Sequence, residues 1–258
     1  MKRRRFLQLA AGTAAAAAVH TTAFASVNRE QEIFLAIRGR MLDAGDAIRV
    51  RAGERVRFHF VHAGAPDDVH LHLPGHRFHV VALDGNPVPT PSAVDVLSLA
   101  MGERIEAIVE MNNPANWTLG SLNDAERAGG LGVRVAYAAQ NGPAQWHPPA
   151  AVDWSYARFS ATTRLIPSPD QTIEMLFEKS QWVIDGQPHV DIDHLSFPPD
   201  RRYRLLMMNA TDRAHPVRLP GYNLQLTRVN QIPVSGIIKD TIRLERYNVI
   251  EANVLRRS

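Results

Sequence analysis

Short stretches in which apolar and polar residues alternate dominate this chain. Ala47-Ile48-Arg49-Val50-Arg51, Val56-Arg57-Phe58-His59-Phe60-Val61, Phe78-His79-Val80-Val81-Ala82-Leu83 and Ile105-Glu106-Ala107-Ile108-Val109-Glu110-Met111 are four of them. Each runs into turn residues: Ala52-Gly53, Ala63-Gly64-Ala65-Pro66, Asp84-Gly85-Asn86-Pro87 and Asn112-Asn113-Pro114. A period of two sends alternate side chains to opposite faces, so each stretch predicts a strand with one buried face. Many short strands at this spacing predict an all-β, Greek-key sandwich protein. No amphipathic helix is expected beyond the N-terminal segment.

The pattern occurs twice. Arg55-Val56-Arg57-Phe58 returns as Arg202-Tyr203-Arg204-Leu205, Leu73-Pro74-Gly75 as Leu219-Pro220-Gly221, and Ile105-Glu106-Ala107-Ile108-Val109 as Ile250-Glu251-Ala252-Asn253-Val254, at offsets of 147, 146 and 145 residues. The first copy continues through Asn112-Asn113-Pro114 and Trp117 to Val133-Arg134-Val135-Ala136-Tyr137, whereas the sequence reaches Ser258 before any such sequel to the second. The expectation is two tandem sandwiches, the second short of its final strands. Such a sandwich would expose a strand edge and part of an apolar face. Residues 138–170, with Pro143, Pro148, Pro149, Pro167 and Pro169 among scattered aromatics, read as a connector that lies along the surface between the two units.

Composition narrows the function. With 258 residues, 45% of them apolar, the chain can bury two cores of about 100 residues each. Its formal charge of +3 is small and sits largely in Arg3, Arg4 and Arg5, so no nucleic-acid partner is expected. Those arginines open a stretch of twin-arginine form, Arg3-Arg4-Arg5-Phe6-Leu7-Gln8, followed by an alanine-rich segment and the small-x-small site Ala23-Phe24-Ala25. Export to the periplasm is therefore expected, with residues 1–25 as the signal and no membrane segment in the mature chain. The expected divisions are 26–140 for the first sandwich, 141–181 for the connector with a leading strand, and 182–258 for the second sandwich. There is no cysteine, which excludes every thiolate metal site and cysteine nucleophile. No glycine-rich phosphate loop, Ser-His-Asp ordering or nucleophile elbow is present.

Gly53-Glu54-Arg55-Val56-Arg57-Phe58, Leu73-Pro74-Gly75-His76-Arg77-Phe78, Ala82-Leu83-Asp84-Gly85-Asn86-Pro87-Val88-Pro89 and Ile108-Val109-Glu110-Met111-Asn112 resemble the middle cupredoxin domain of bacterial, laccase-like multicopper oxidases. Arg202-Tyr203-Arg204, Asn209-Ala210-Thr211-Asp212, His215-Pro216-Val217, Ser235-Gly236-Ile237-Ile238-Lys239-Asp240 and Ile250-Glu251 resemble the last domain of the same enzymes. The resemblance implies two cupredoxin-like sandwiches. It also implies copper as the ancestral cofactor and one-electron oxidation of phenols, metal ions or similar donors coupled to reduction of dioxygen. In the family's last domain a His-Pro-x-His-x-His run and a C-terminal His-Cys-His stretch supply ligands. Here the run reads His215-Pro216-Val217-Arg218-Leu219-Pro220, so His215 keeps the position of a type 1 copper ligand while Arg218 and Pro220 stand where the resemblance places cluster histidines. A guanidinium stays cationic and proline has no side-chain donor, so neither binds copper. The first domain and the cysteine-bearing strand are not found in the sequence. The expectation is a copper-site-degenerate member without oxidase activity, with no catalytic or cofactor-binding residue to name.

The candidate metal ligands are His215, as an inherited remnant, and His70 with His72. The last two flank Leu71 and so share one face of an extended strand, a geometry that suits Cu(II) or Zn(II). Two other readings stay open: a periplasmic Cu/Zn-binding module with one weak site, or a scaffold whose open edge is completed by a partner protein's strand or by another copy of the chain. Asp95, Asp240, Glu106 and Glu251 recur at matched repeat positions, which suggests a framework role.

Overall fold

The computed structural model describes the backbone of residues 5–7 and 30–37, and residues 47–64, 67–162, 167–193 and 195–256 in full. Apart from Arg5–Leu7, the signal-like segment lies outside the described residues. Arg5–Leu7 of the signal-like segment forms β1, and the first copy of the repeat forms β2 (Glu30–Ile37), β3 (Ile48–Val50), β4 (Glu54–His62), β5 (Val69–His72), β6 (Phe78–Leu83), β7 (Asn86–Val94), β8 (Val96–Leu99), β9 (Arg104–Met111), β10 (Asn116–Ser121) and β11 (Gly132–Tyr137). A short helix, α1 (Asp124–Ala128), interrupts the last connection. It buries none of its residues, and Asn123 caps it by accepting from the Ala125 and Glu126 amides, so no apolar periodicity announced it. These strands make a six-stranded sheet in the order β1-β2-β4-β9-β6-β7 and a five-stranded sheet in the order β3-β11-β10-β5-β8.

The second copy forms β12 (Gln171–Glu178), β13 (Gln181–Ile184), β14 (Gln187–His189), β15 (Tyr203–Asn209), β16 (His215–Arg218), β17 (Tyr222–Val229), β18 (Ile232–Pro233), β19 (Ile238–Lys239), β20 (Thr241–Leu244) and β21 (Val249–Arg256). Its large sheet runs β14-β13-β12-β15-β21-β17-β18, with β19 also on β17, while β16 and β20 pair as a separate two-stranded sheet.

Alternation fixes which faces are buried. In β4, Val56, Phe58 and Phe60 are buried between less buried neighbours, and in β15 Tyr203, Leu205 and Met207 are too. Strand pairing reproduces the repeat. Arg57 sits opposite Ile108 and Arg204 opposite Asn253; Leu71 opposite Leu97 and Val217 opposite Ile242. Each copy even carries the same bulge, between Val80 and Ala82 in β6 and between Leu226 and Arg228 in β17. Framework ion pairs recur too, Arg57–Glu106 at 3.4 Å and Arg204–Glu251 at 3.8 Å.

Between β11 and β12 the described chain is irregular except for a 3-10 turn at Tyr156–Phe159. Tyr156 and Phe159 are buried, and Trp154 packs on Phe159 with ring centres 5.4 Å apart. The connector therefore contributes to the core as well as the surface. Among the described residues no helix is long and apolar enough to cross a membrane.

Candidate functional site

His215 opens β16, where pairing with Leu244 on β20 holds its backbone. Its Nε2 lies 2.9 Å from the Thr211 hydroxyl. The hydroxyl hydrogen of Thr211 can go to Asn209 Oδ1 at 2.8 Å, which leaves its oxygen to accept from the imidazole. The ring leans on Phe177, centres 4.0 Å apart. Burial holds the His215 imidazole below its ordinary pKa. Arg218, three residues on, is exposed and lines an open cleft of about 490 Å³ with Trp182, Asp191, Asp193 and Thr241. Pro220 is exposed as well. The donor set at His215 is thus one imidazole, a hydroxyl already engaged and a phenyl face. That does not fit a type 1 copper, which needs a thiolate and a second imidazole.

β5 places His70 and His72 on one face, as the spacing requires, but commits them to different surroundings. His70 Nδ1 contacts Ser98 Oγ at 2.8 Å on β8. Burial lowers its pKa, and the nearby Arg243 guanidinium lowers it further. Arg243 is itself tied to Asp68 at 2.7 Å, so a cation stands beside His70. His72 Nδ1 instead donates to the Asp95 carbonyl at 2.7 Å, and its ring meets Trp146 and His147, with centres 5.6 and 6.4 Å away. Burial lowers its pKa as well. Among the described residues, no three His, Cys, Asp or Glu side chains converge as metal ligands would. His76 has a packing role: Nδ1 donates to the Pro74 carbonyl at 2.8 Å and Nε2 accepts from the Tyr137 hydroxyl at 2.6 Å.

The densest polar chemistry lies elsewhere, in a buried joint between the two copies. Lys239 on β19 has no exposed surface, and its ammonium sits 2.9 Å from both Asp84 Oδ2 and Glu103 Oε1. Asp84 also accepts from the Arg104, Asp240 and Thr241 amides, and Glu103 from the Ala100 amide. Tyr156, from the connector, donates its hydroxyl to Glu103 and accepts from the Arg243 amide. Arg104 reaches Asp240 at 2.6 Å. Burial opposes a charged Lys239, but the two carboxylates outweigh it and hold the ammonium above its ordinary pKa. Burial raises Glu103 and Tyr156. Sequence reasoning missed this cluster because residues 84, 103, 156 and 239 share no local spacing. The one visible signal was Asp240, read as framework.

Two facing sheets in each copy, with matched register and matched bulges, define a tandem cupredoxin-like sandwich protein. The multicopper oxidase family model matches residues 8–142, and the chain belongs to that family, whose cofactor is copper. It is 26% identical over 216 residues to the multicopper oxidase MmcO of Mycobacterium tuberculosis, an alignment covering 80% of this chain and 42% of that protein. It is 29% identical over 104 residues to a laccase of Pestalotiopsis fici, covering 39% of this chain and 17% of the laccase. Among solved structures, the Botrytis aclada laccase superposes with a TM-score of 0.60 at 16% identity, over 83% of this chain and 49% of that one. The laccase-like multicopper oxidase CueO of Ochrobactrum sp. gives 0.58 at 17%, over 88% and 60%. The chain therefore spans less than half of the mycobacterial relative.

Proposed function

We propose that this chain is a multicopper-oxidase-family scaffold that assembles no oxidase centre from its own residues. The observation that carries this reading is the surroundings of His215. It is the one inherited ligand in its run, it is hydrogen-bonded to Thr211 and packed on Phe177, and Arg218 and Pro220 stand where imidazoles would be needed. Oligomerisation would not supply the missing thiolate, since every copy lacks cysteine. The reading includes export by the twin-arginine route and the unit boundaries 26–140, 141–181 and 182–258. The test is oxidation of a phenolic dye by the full chain after loading with copper. The expected result is no turnover above free copper, and copper-dependent turnover by the purified chain would overturn the reading.

A second reading, completion by another strand, is favoured by one feature. β5 is flanked by β8 and β10, while its counterpart β16 pairs with β20 on one side alone among the described residues. A strand edge left open in this way recruits a strand from another chain. Light scattering on the eluting protein checks it: a stable monomer would remove this reading, and a dimer or a co-purifying partner would support it.

A further inference from the structure

We infer that His72 and His147 form a surface-capped, two-imidazole site for a divalent transition cation, Cu(II) foremost. His72 is 4% exposed, and its Nδ1 sits 2.7 Å from a carbonyl oxygen, which can only accept. The proton is therefore on Nδ1, and Nε2 presents its lone pair. That Nε2 is buried and has no hydrogen-bond partner among the described residues. An imidazole fixed through one nitrogen by a backbone carbonyl, with a bare lone pair on the other, is the arrangement that metal-binding histidines use.

His147 supplies the second donor. Its ring centre lies 6.4 Å from that of His72, with the planes at 64°. Metal–nitrogen bonds of about 2.0–2.1 Å place the centres of two rings sharing one metal roughly 5–6.5 Å apart, depending on the angle at the metal. The observed separation is at the long end, and His147 is exposed, so rotation of its side chain can close the angle. The backbone before it is held: Gln145 exchanges hydrogen bonds with Asn116 and Thr118 of β10 at 2.8 and 3.0 Å, and Pro148-Pro149 follow. Trp146 is pinned under the Arg127 guanidinium at 3.8 Å, and Trp117 packs on His147. Trp146 and His147 thus pack beside the His72 ring, Trp146 held by Arg127 and His147 exposed to solvent. His70 is not part of the site, because it faces Ser98 and the Arg243 cation. Two imidazoles with solvent completing the shell suit Cu(II) better than Zn(II), and both better than the earlier metals of the row.

This inference is independent of the oxidase question, since a bound ion without turnover satisfies both. The test is titration of the full chain with Cu(II) against glycine as a competing chelator, read by calorimetry and by the copper electron paramagnetic resonance spectrum. One copper per chain with imidazole-nitrogen coupling is expected. His147→Ala, an exposed change that leaves the fold intact, should weaken binding by at least about tenfold, while His70→Ala should leave it unchanged. Equal affinity in wild type and His147→Ala would overturn the site, as would failure of the wild type to hold copper against glycine.

Discussion

β5 and β16 occupy matched places in the two copies of the repeat, yet they live in different environments. β5 sits inside a five-stranded sheet and buries His72, whereas β16 has β20 as its partner and leaves Arg218, the matched residue, exposed. Leu73 and Leu219, one position on, are both buried. The inner face is thus retained in both copies, and the difference falls on the outer face. In the first copy that face is covered at His72 by Trp146 and His147. Register and core survive duplication because apolar alternation encodes them locally, but the chemistry of a position depends on what covers it.

The largest expected effect breaks the joint that holds the unlike halves together. Lys239→Met removes the ammonium while leaving Asp84 and Glu103 buried with one cation fewer. Removing one partner of a buried ion pair costs about 3–5 kcal/mol. Urea denaturation of the variant should show a loss of that order, and the second copy, whose second sheet has two strands among the described residues, should unfold first. A loss below about 1 kcal/mol would mean that the joint contributes little and that the halves are held by apolar contact alone.

The next effect compares matched glycines. Gly75 and Gly221 both adopt φ near +70 to +85°, where a side chain is strained in either copy. A Cβ at Gly75 would come within 2.0 Å of Asn113 Nδ2, whereas one at Gly221 meets nothing within 4 Å. Gly221→Ala should therefore cost the backbone strain alone, about 1–2 kcal/mol. Gly75→Ala should cost about 1 kcal/mol or more beyond that, because Asn113 must move and Trp117 packs behind it. Thermal midpoints of the two variants measure the difference. Equal losses would show that the cover over the first copy yields freely.

Much of the fold was legible. Glu106 and Glu251 were readable as framework because they fall on alternating strands at matched repeat positions; the fold adds their partners, Arg57 and Arg204. The paired bulges were not readable, since an extra residue in β6 or β17 leaves no mark on a pattern of mixed valines and leucines. His70 and His72 were legible as sharing a face, because a period of two demands it. What separates them is supplied by Ser98, Arg243 and His147, which lie 28 to 173 positions away. The Lys239 joint was illegible for the same reason: Lys239 stands where the first copy has Val94, and a lone lysine beside an aspartate looks like a solvated turn until Asp84 and Glu103 are folded against it.

The smallest effect separates the halves by pH. His76 is kept neutral by burial, with a pKa below its ordinary 6.5, while burial pushes Tyr137 up to about 12 from 10.0. For His76, the unfolded chain takes up a proton below pH 6.5 that the fold refuses, so its contribution is present above 6.5 and lost as the pH falls. For Tyr137, the unfolded chain releases a proton above pH 10 that the fold retains, so stability is lost as the pH rises from 10 toward 12. The acid limb belongs to both copies, because His215 is depressed as well. The alkaline limb separates them. Tyr222, at the position matching His76, accepts from the Phe197 amide, and that bond lowers its pKa, so its contribution grows as the pH rises toward 10. Melting midpoints across pH 5–11 should therefore plateau between about 6.5 and 10 and fall beyond each end. Tyr137→Phe should shrink the alkaline fall to the part that buried Tyr156 supplies, and Tyr222→Phe should steepen it. If both variants shift the alkaline limb in the same direction, the two tyrosines answer to the solvent, and the difference in cover between the copies does not reach their hydroxyls.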